Sequence, residues 1–174
     1  MSRSPFDRRI AKPTFVALVE PLLGLPISRP WRGYGSTLFL ELGTLRDEPL
    51  SPSPRRPKGA VSQKGKATVM IDWSWRVERA RSIAFGSWST ERRMTSGVAK
   101  LLDHHVETID VVGRLPELTL TLSDHLWVQA FNTSEGQPEW TVFLPDRSWL
   151  TVVGGHLVHN TQNQVSARRR PNER

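Results

Sequence analysis

The chain has 174 residues, 37 % of them apolar, no cysteine and a formal charge of +7. That length supports one domain with its own core. The absence of cysteine excludes disulfides and thiolate metal sites, and no apolar run reaches the roughly 18 residues of a membrane span. The charge is unevenly placed. Residues 1–12, 46–66 and 161–174 carry +3, +4 and +3, which leaves −3 on the remainder; residues 101–160 alone carry two basic and eight acidic groups, or −6.

The basic N-terminal segment 1–12 reads as flexible. The basic-then-apolar start resembles a leader, but Glu20 and Pro21 interrupt the apolar run, so it is read as mature chain, compatible with a cytoplasmic protein. In "TFVALVEPLLG", Phe15, Leu18 and Leu22 lie at helical spacing, and Pro21 limits the helix to about two turns. "GLPISRPWR" is extended because each proline disfavours the helical region at the residue before it. "STLFLELG" follows as a strand with Leu38, Leu40 and Leu42 on one face. Between them lies "GYG", residues 33–35. Neither a phosphate loop nor a dinucleotide fingerprint fits, because proline and tryptophan precede the glycines and a strand, not a helix, follows. It reads as a turn in which glycine accepts positive φ.

Residues 46–66, rich in proline, serine and arginine, cannot build a core and read as a disordered insertion between two strands. "ATVMIDWSWRVE" places Val69, Ile71, Trp73, Trp75 and Val77 at a period of two: one strand of about ten residues, bent near Asp72–Ser74, with Trp73 and Trp75 on one face. "RSIAFGSW" is a shorter strand. "STERRMTSGVAKLLD" is a helix capped by Ser89 or Thr90, with Met94, Val98, Leu101 and Leu102 as its stripe and Gly97 as its weak point. Beyond it every segment signals strand: "HVETIDVVG" with a bulge, a hairpin turning at Ser123–Asp124, another turning at "PDRS", and a last turn at Gly154–Gly155. The C-terminal segment 161–174 is a second flexible basic tail.

An internal repeat runs through this order. The leucine pairs Leu22–Leu23 and Leu101–Leu102 are 79 apart, as are Ile27 and Val106; the strands Leu38–Leu42 and Leu118–Leu122 are 80 apart. Ser-Trp recurs at 74–75 and 148–149. The expected fold is therefore α+β and mostly antiparallel: one domain over 13–160, two similar meander-like halves, seven to nine short strands and one or two short helices.

"IDWSWRVE", "GSW", "GRLPELTLTLSD" and "GQPEWTVFLPDRSWLTV", with the leucine-pair starts, resemble a group of small uncharacterised bacterial β-rich proteins, distantly like immunity-type, partner-binding proteins linked to secreted toxins. The resemblance covers roughly residues 20–160, spares the tails and the insertion, and brings no catalytic residue with it.

The residues themselves favour binding over catalysis. Of His104, His105, His125, His156 and His159, the pairs His104–His105 and His156–His159 diverge on extended backbone, so no metal site is expected. Ser36, Ser74, Ser87, Ser123 and Ser148 lack a nucleophile-elbow context. Asp72, Glu117, Glu139 and Asp146 are candidate carboxylates for a hydrolase, the rival reading. No cofactor is expected. Arg29, Trp31, Arg32 and Tyr34 have the ingredients of a base-stacking surface, and the basic tails suit loose association with nucleic acid. Seven tryptophans, lying on both faces of their strands, fit either burial between two covered faces or an exposed protein interface. Its candidate residues are Trp31, Tyr34, Trp73, Trp75, Trp88 and Trp127. Glu107, Asp110 and Glu117 are the acids that would meet a basic protein partner.

Overall fold

The computed structural model describes residues 9–50 and 57–161. Helix α1 (Lys12–Val19) runs into a 3₁₀ turn at Glu20–Leu22, the shortening that Pro21 imposes. Helix α2 (Glu91–Ala99) starts at Thr90, whose hydroxyl accepts from the Arg93 N–H.

Eleven strands form two antiparallel sheets. The first has the order β1 (Ile27–Arg32), β2 (Leu38–Leu42), β5 (Ala67–Ile71), β11 (Trp140–Phe143), β12 (Trp149–Val153), β13 (His156–Asn160). The second runs β7 (Ser82–Gly86), β6 (Trp75–Arg79), β10 (Leu126–Ala130), β9 (Glu117–Leu122), β8 (Val106–Val112). Leu40, Val69 and Trp140 of one sheet and Leu120, Val128 and Trp75 of the other belong to a single buried cluster, sealed by Phe15, Val19 and Leu22 of the first helical segment and Met94, Val98 and Leu101 of the second. The fold is α+β and dominated by antiparallel sheets, with more strands than the seven to nine expected.

The repeat is a pseudo-twofold. Each half is a helix, a three-stranded meander, then a crossing into the opposite sheet. In the second sheet Ala130 pairs with Trp75 and Val128 with Val77; in the first Ile71 pairs with Trp140 and Val69 with Val142. The backbone repeats the relation. Ile27 N–H donates to His104 O (2.8 Å) and Val106 N–H to Leu25 O (3.0 Å); at the crossings Asp72 N–H donates to Glu139 O (2.7 Å) and Phe131 N–H to Ser74 O (2.9 Å). Gly24 and Asp103, 79 positions apart, both adopt positive φ to turn the chain into its first strand.

Three expectations are corrected. Residues 67–79 form two strands in different sheets, because the chain leaves the first sheet at Asp72 and enters the second at Trp75; Trp73 and Trp75 therefore do not share a face. The counterpart of Trp75 is Trp140, not Trp149: their indole N–H groups donate to Ser36 O and Pro116 O, again 80 positions apart. The 46–66 insertion is ordered where it is described, since β3 (Arg46–Pro49) and β4 (Val61–Lys64) pair as an antiparallel ribbon; its tip, 51–56, lies outside the described residues. Most of the two basic tails, 1–8 and 162–174, also lies outside them. Arg9, the first described residue, bridges to Val158, and the Ile10 N–H donates to Leu157 O.

Candidate functional site

Three connections of the first half meet at one end of the molecule. The β1–β2 turn is closed by Gly33 N–H to Thr37 O (2.9 Å). Gly35 supplies its positive φ of 64°, and Gly33 is needed for space: a Cβ there would lie 2.7 Å from the Phe39 ring. Ser36 Oγ donates to Trp73 O in the β5–β6 crossing (3.1 Å), and Thr37 Oγ1 to Asp72 (2.6 Å). The buried indole of Trp75 donates to Ser36 O (2.6 Å), and Ser87 N–H donates to Trp75 O (2.9 Å). These bonds tie the turn, the crossing and the β7–α2 connection into one platform. Arg32 fastens it to α2, donating to Glu91 (2.6 Å), Thr95 (3.3 Å) and Gly35 O (2.8 Å).

From this platform Tyr34 and Trp88 project with 92 % of their surface exposed, and Trp73 with 56 %. Large aromatics so exposed, on backbone so well bonded, have no part in the core. They stand exposed on the three connections that these hydrogen bonds join. The Arg32 guanidinium holds the Glu91 carboxyl below the usual range, chiefly through its hydrogen bond and also through its charge.

The other proposed residues have structural roles or stand apart. Trp75 is core, edge-on to Phe85 with ring centroids 6.0 Å apart. Trp31 stacks on Phe39 at 4.0 Å, under Arg29 and Lys64. Trp127 is half-buried on the outer face of the second sheet, opposite Thr121 and Glu78. Glu107 is exposed at the bulge of β8, but Asp110 is paired with Lys12 (2.8 Å) and Glu117 accepts from Asn132 N–H (3.1 Å), so two of the three acids are already engaged. Among the described residues no group of three or more His, Asp or Glu side chains is placed to hold a metal. Asp146, a candidate hydrolase carboxylate, is folded back on Ser148, whose hydroxyl and N–H hold its carboxyl below the usual range.

The sequence pattern missed Glu41. It is fully buried, and its carboxylate accepts from Gly65 N–H (3.0 Å), the Thr68 hydroxyl, Trp31 Nε1 (3.1 Å) and Lys64 Nζ (3.5 Å). It roots the β3–β4 ribbon on the sheet. The available signal was an acid set between Leu40 and Leu42. Comparison with protein-family models, curated proteins and solved structures finds no match to this chain.

Proposed function

We propose that the chain is a non-catalytic protein-binding module, immunity-like in kind, which meets its partner with Tyr34, Trp73 and Trp88. One observation carries this reading: three exposed aromatics stand on three connections whose backbones are hydrogen-bonded together. Aromatic anchors supply a large share of protein-interface energy, and anchors on an already ordered platform lose little entropy on binding. A single-stranded nucleic acid is served less well, because stacking readers add free cations that track the phosphates. Arg32, the cation built into the platform, is spent on Glu91, Thr95 and Gly35.

The test is capture of crosslinked partners from the source cells with the intact chain and with Tyr34→Ser/Trp73→Ser/Trp88→Ser. The triple variant is expected to melt within a few degrees of wild type, as surface changes do, and to lose the captured protein. Retention of that protein would refute the reading. If charge reversal at Glu107, Asp110 and Glu117 removed it instead, the acidic face would be the interface.

A further inference from the structure

A second feature, independent of the aromatic platform, lies on the flank of the second sheet. A cleft of about 770 Å³ opens between α2, β7 and the Ser123–His125 turn, within the range of small-molecule pockets. Its floor is apolar, built from Phe85, Leu101 and Leu126, and its rim carries Arg79, Arg93 and Lys100. Arg79 and Lys100 enter no ion pair among the described residues. The lining has one carboxylate, Asp124, set 3.3 Å from His104.

The pseudo-twofold provides an internal control. The positions that correspond to Arg79, Arg93 and Lys100 in the other half are Leu144, Thr14 and Pro21, all uncharged. The repeated fold therefore does not require these cations. The edges also differ. Strand β12 is flanked by β13, whereas among the described residues no strand lies on the side of β7 away from β6. Its backbone is nevertheless spoken for at one end: Arg93 donates to Ala84 O, and Ser89 bonds both the N–H and the carbonyl of Gly86. An added peptide strand would find few free partners. What remains is a cleft that joins the apolar Phe85, Leu101 and Leu126 to three cations and one carboxylate, with Ile83 exposed beside them.

We propose that this cleft binds a free anionic amphiphile: an apolar chain or ring on Phe85, Leu101 and Leu126, and a carboxylate or phosphate head at Arg79, Arg93 and Lys100. The head gains charge-assisted hydrogen bonds at the rim, and the tail gains burial on the floor.

The experiment titrates the full chain with decanoate, below its micelle concentration, and follows amide shifts by NMR. Saturable shifts at Ile83, Gly97 and Lys100 are expected. Arg79→Glu/Lys100→Glu should weaken binding by about tenfold or more, and the milder Arg79→Gln/Lys100→Gln pair by less; both pairs alter exposed side chains that hold nothing else in place. Equal binding of decyltrimethylammonium, shifts confined to the Tyr34 end, or unchanged affinity in both variant pairs would overturn the proposal. So would displacement of decanoate by octaglutamate, which would make the cleft an acidic-peptide site. Binding only to anionic vesicles, with no response to decanoate, would make it a membrane contact.

Discussion

In the first half of the chain the connection from β2 to β5 runs from Gly43 to Lys66 and carries the β3–β4 ribbon; in the second the connection from β9 to β10 is the short turn Ser123–His125. The same contrast recurs around the pseudo-twofold. The first-half connections present Tyr34, Trp73 and Trp88, where the second half has Arg114, Asn132 and Val153 at the corresponding positions. The outer face of the first sheet buries Glu41 beneath the ribbon; the corresponding residue of the second is Thr121, half-buried on an uncovered face. What both halves share is the requirement of the fold. What only one half has is free to serve recognition.

The largest effects should come from the shared positions. Trp75 and Trp140 fill the same place on either side of the axis, each with its indole N–H on the carbonyl that ends the preceding turn. Replacing either with alanine empties a large core volume, at a cost of about 3–5 kcal/mol. Urea unfolding of the two variants should give losses that agree within about 1 kcal/mol, the spread that local relaxation allows. A loss at one position only would break the equivalence of the halves.

Glu41 tests the asymmetric part. Glu41→Ala strands a buried N–H, hydroxyl and indole at once, and a loss of about 3 kcal/mol is expected by chemical denaturation. Thr121→Ala, at the corresponding place, should stay within about 0.5–1 kcal/mol, since Thr121 loses only a bond from the Thr108 hydroxyl. Amide exchange in the β3–β4 ribbon should rise in the Glu41 variant and leave the core strands protected. Core exchange rising with it would mean that the ribbon belongs to the common fold.

Much of this architecture was legible because it rests on local periodicity. The leucine-alternating strands, the two helices, the turns at Ser123–Asp124 and Gly154–Gly155 and the 79-residue offset all follow from which residues must face a core. The β5–β6 switch was less so, because alternation continues through Trp73 although the chain changes sheets there; only tertiary pairing with Glu139 and Ser87 separates the two strands. The ribbon is not legible because its pairing residues, Arg46–Pro49 and Val61–Lys64, contribute no core side chain, and the Glu41 carboxylate that anchors it lies 24 positions from the Gly65 N–H it accepts from. Of the candidate tryptophans, sequence could not separate Trp75 from Trp73. Burial is decided by which sheet the next strand joins.

The smallest expected effect concerns the charges that distinguish the halves. Lys12 and Glu91 occupy corresponding positions at the starts of the two helices, and each pairs with an edge strand of the opposite half: Lys12 with Asp110 of β8, Glu91 with Arg32 of β1. The first half is positive at both places and the second negative at both, so first-to-second pairing is attractive and pairing of like halves between two chains is repulsive. Lys12→Glu should cost no more than about 1 kcal/mol, because the pair is exposed, and Lys12→Glu/Asp110→Lys should recover most of it. Glu91 adds a pH signature. Its carboxyl lies below the usual range when folded, so its contribution is complete above the ordinary carboxylate value, near 4.3, and is lost as the pH falls through the lowered folded value. Glu91→Gln should therefore be less stable than wild type at neutral pH, and the two should converge in acid. A constant difference across that range would show that the helix start, not the charge, is what Glu91 supplies.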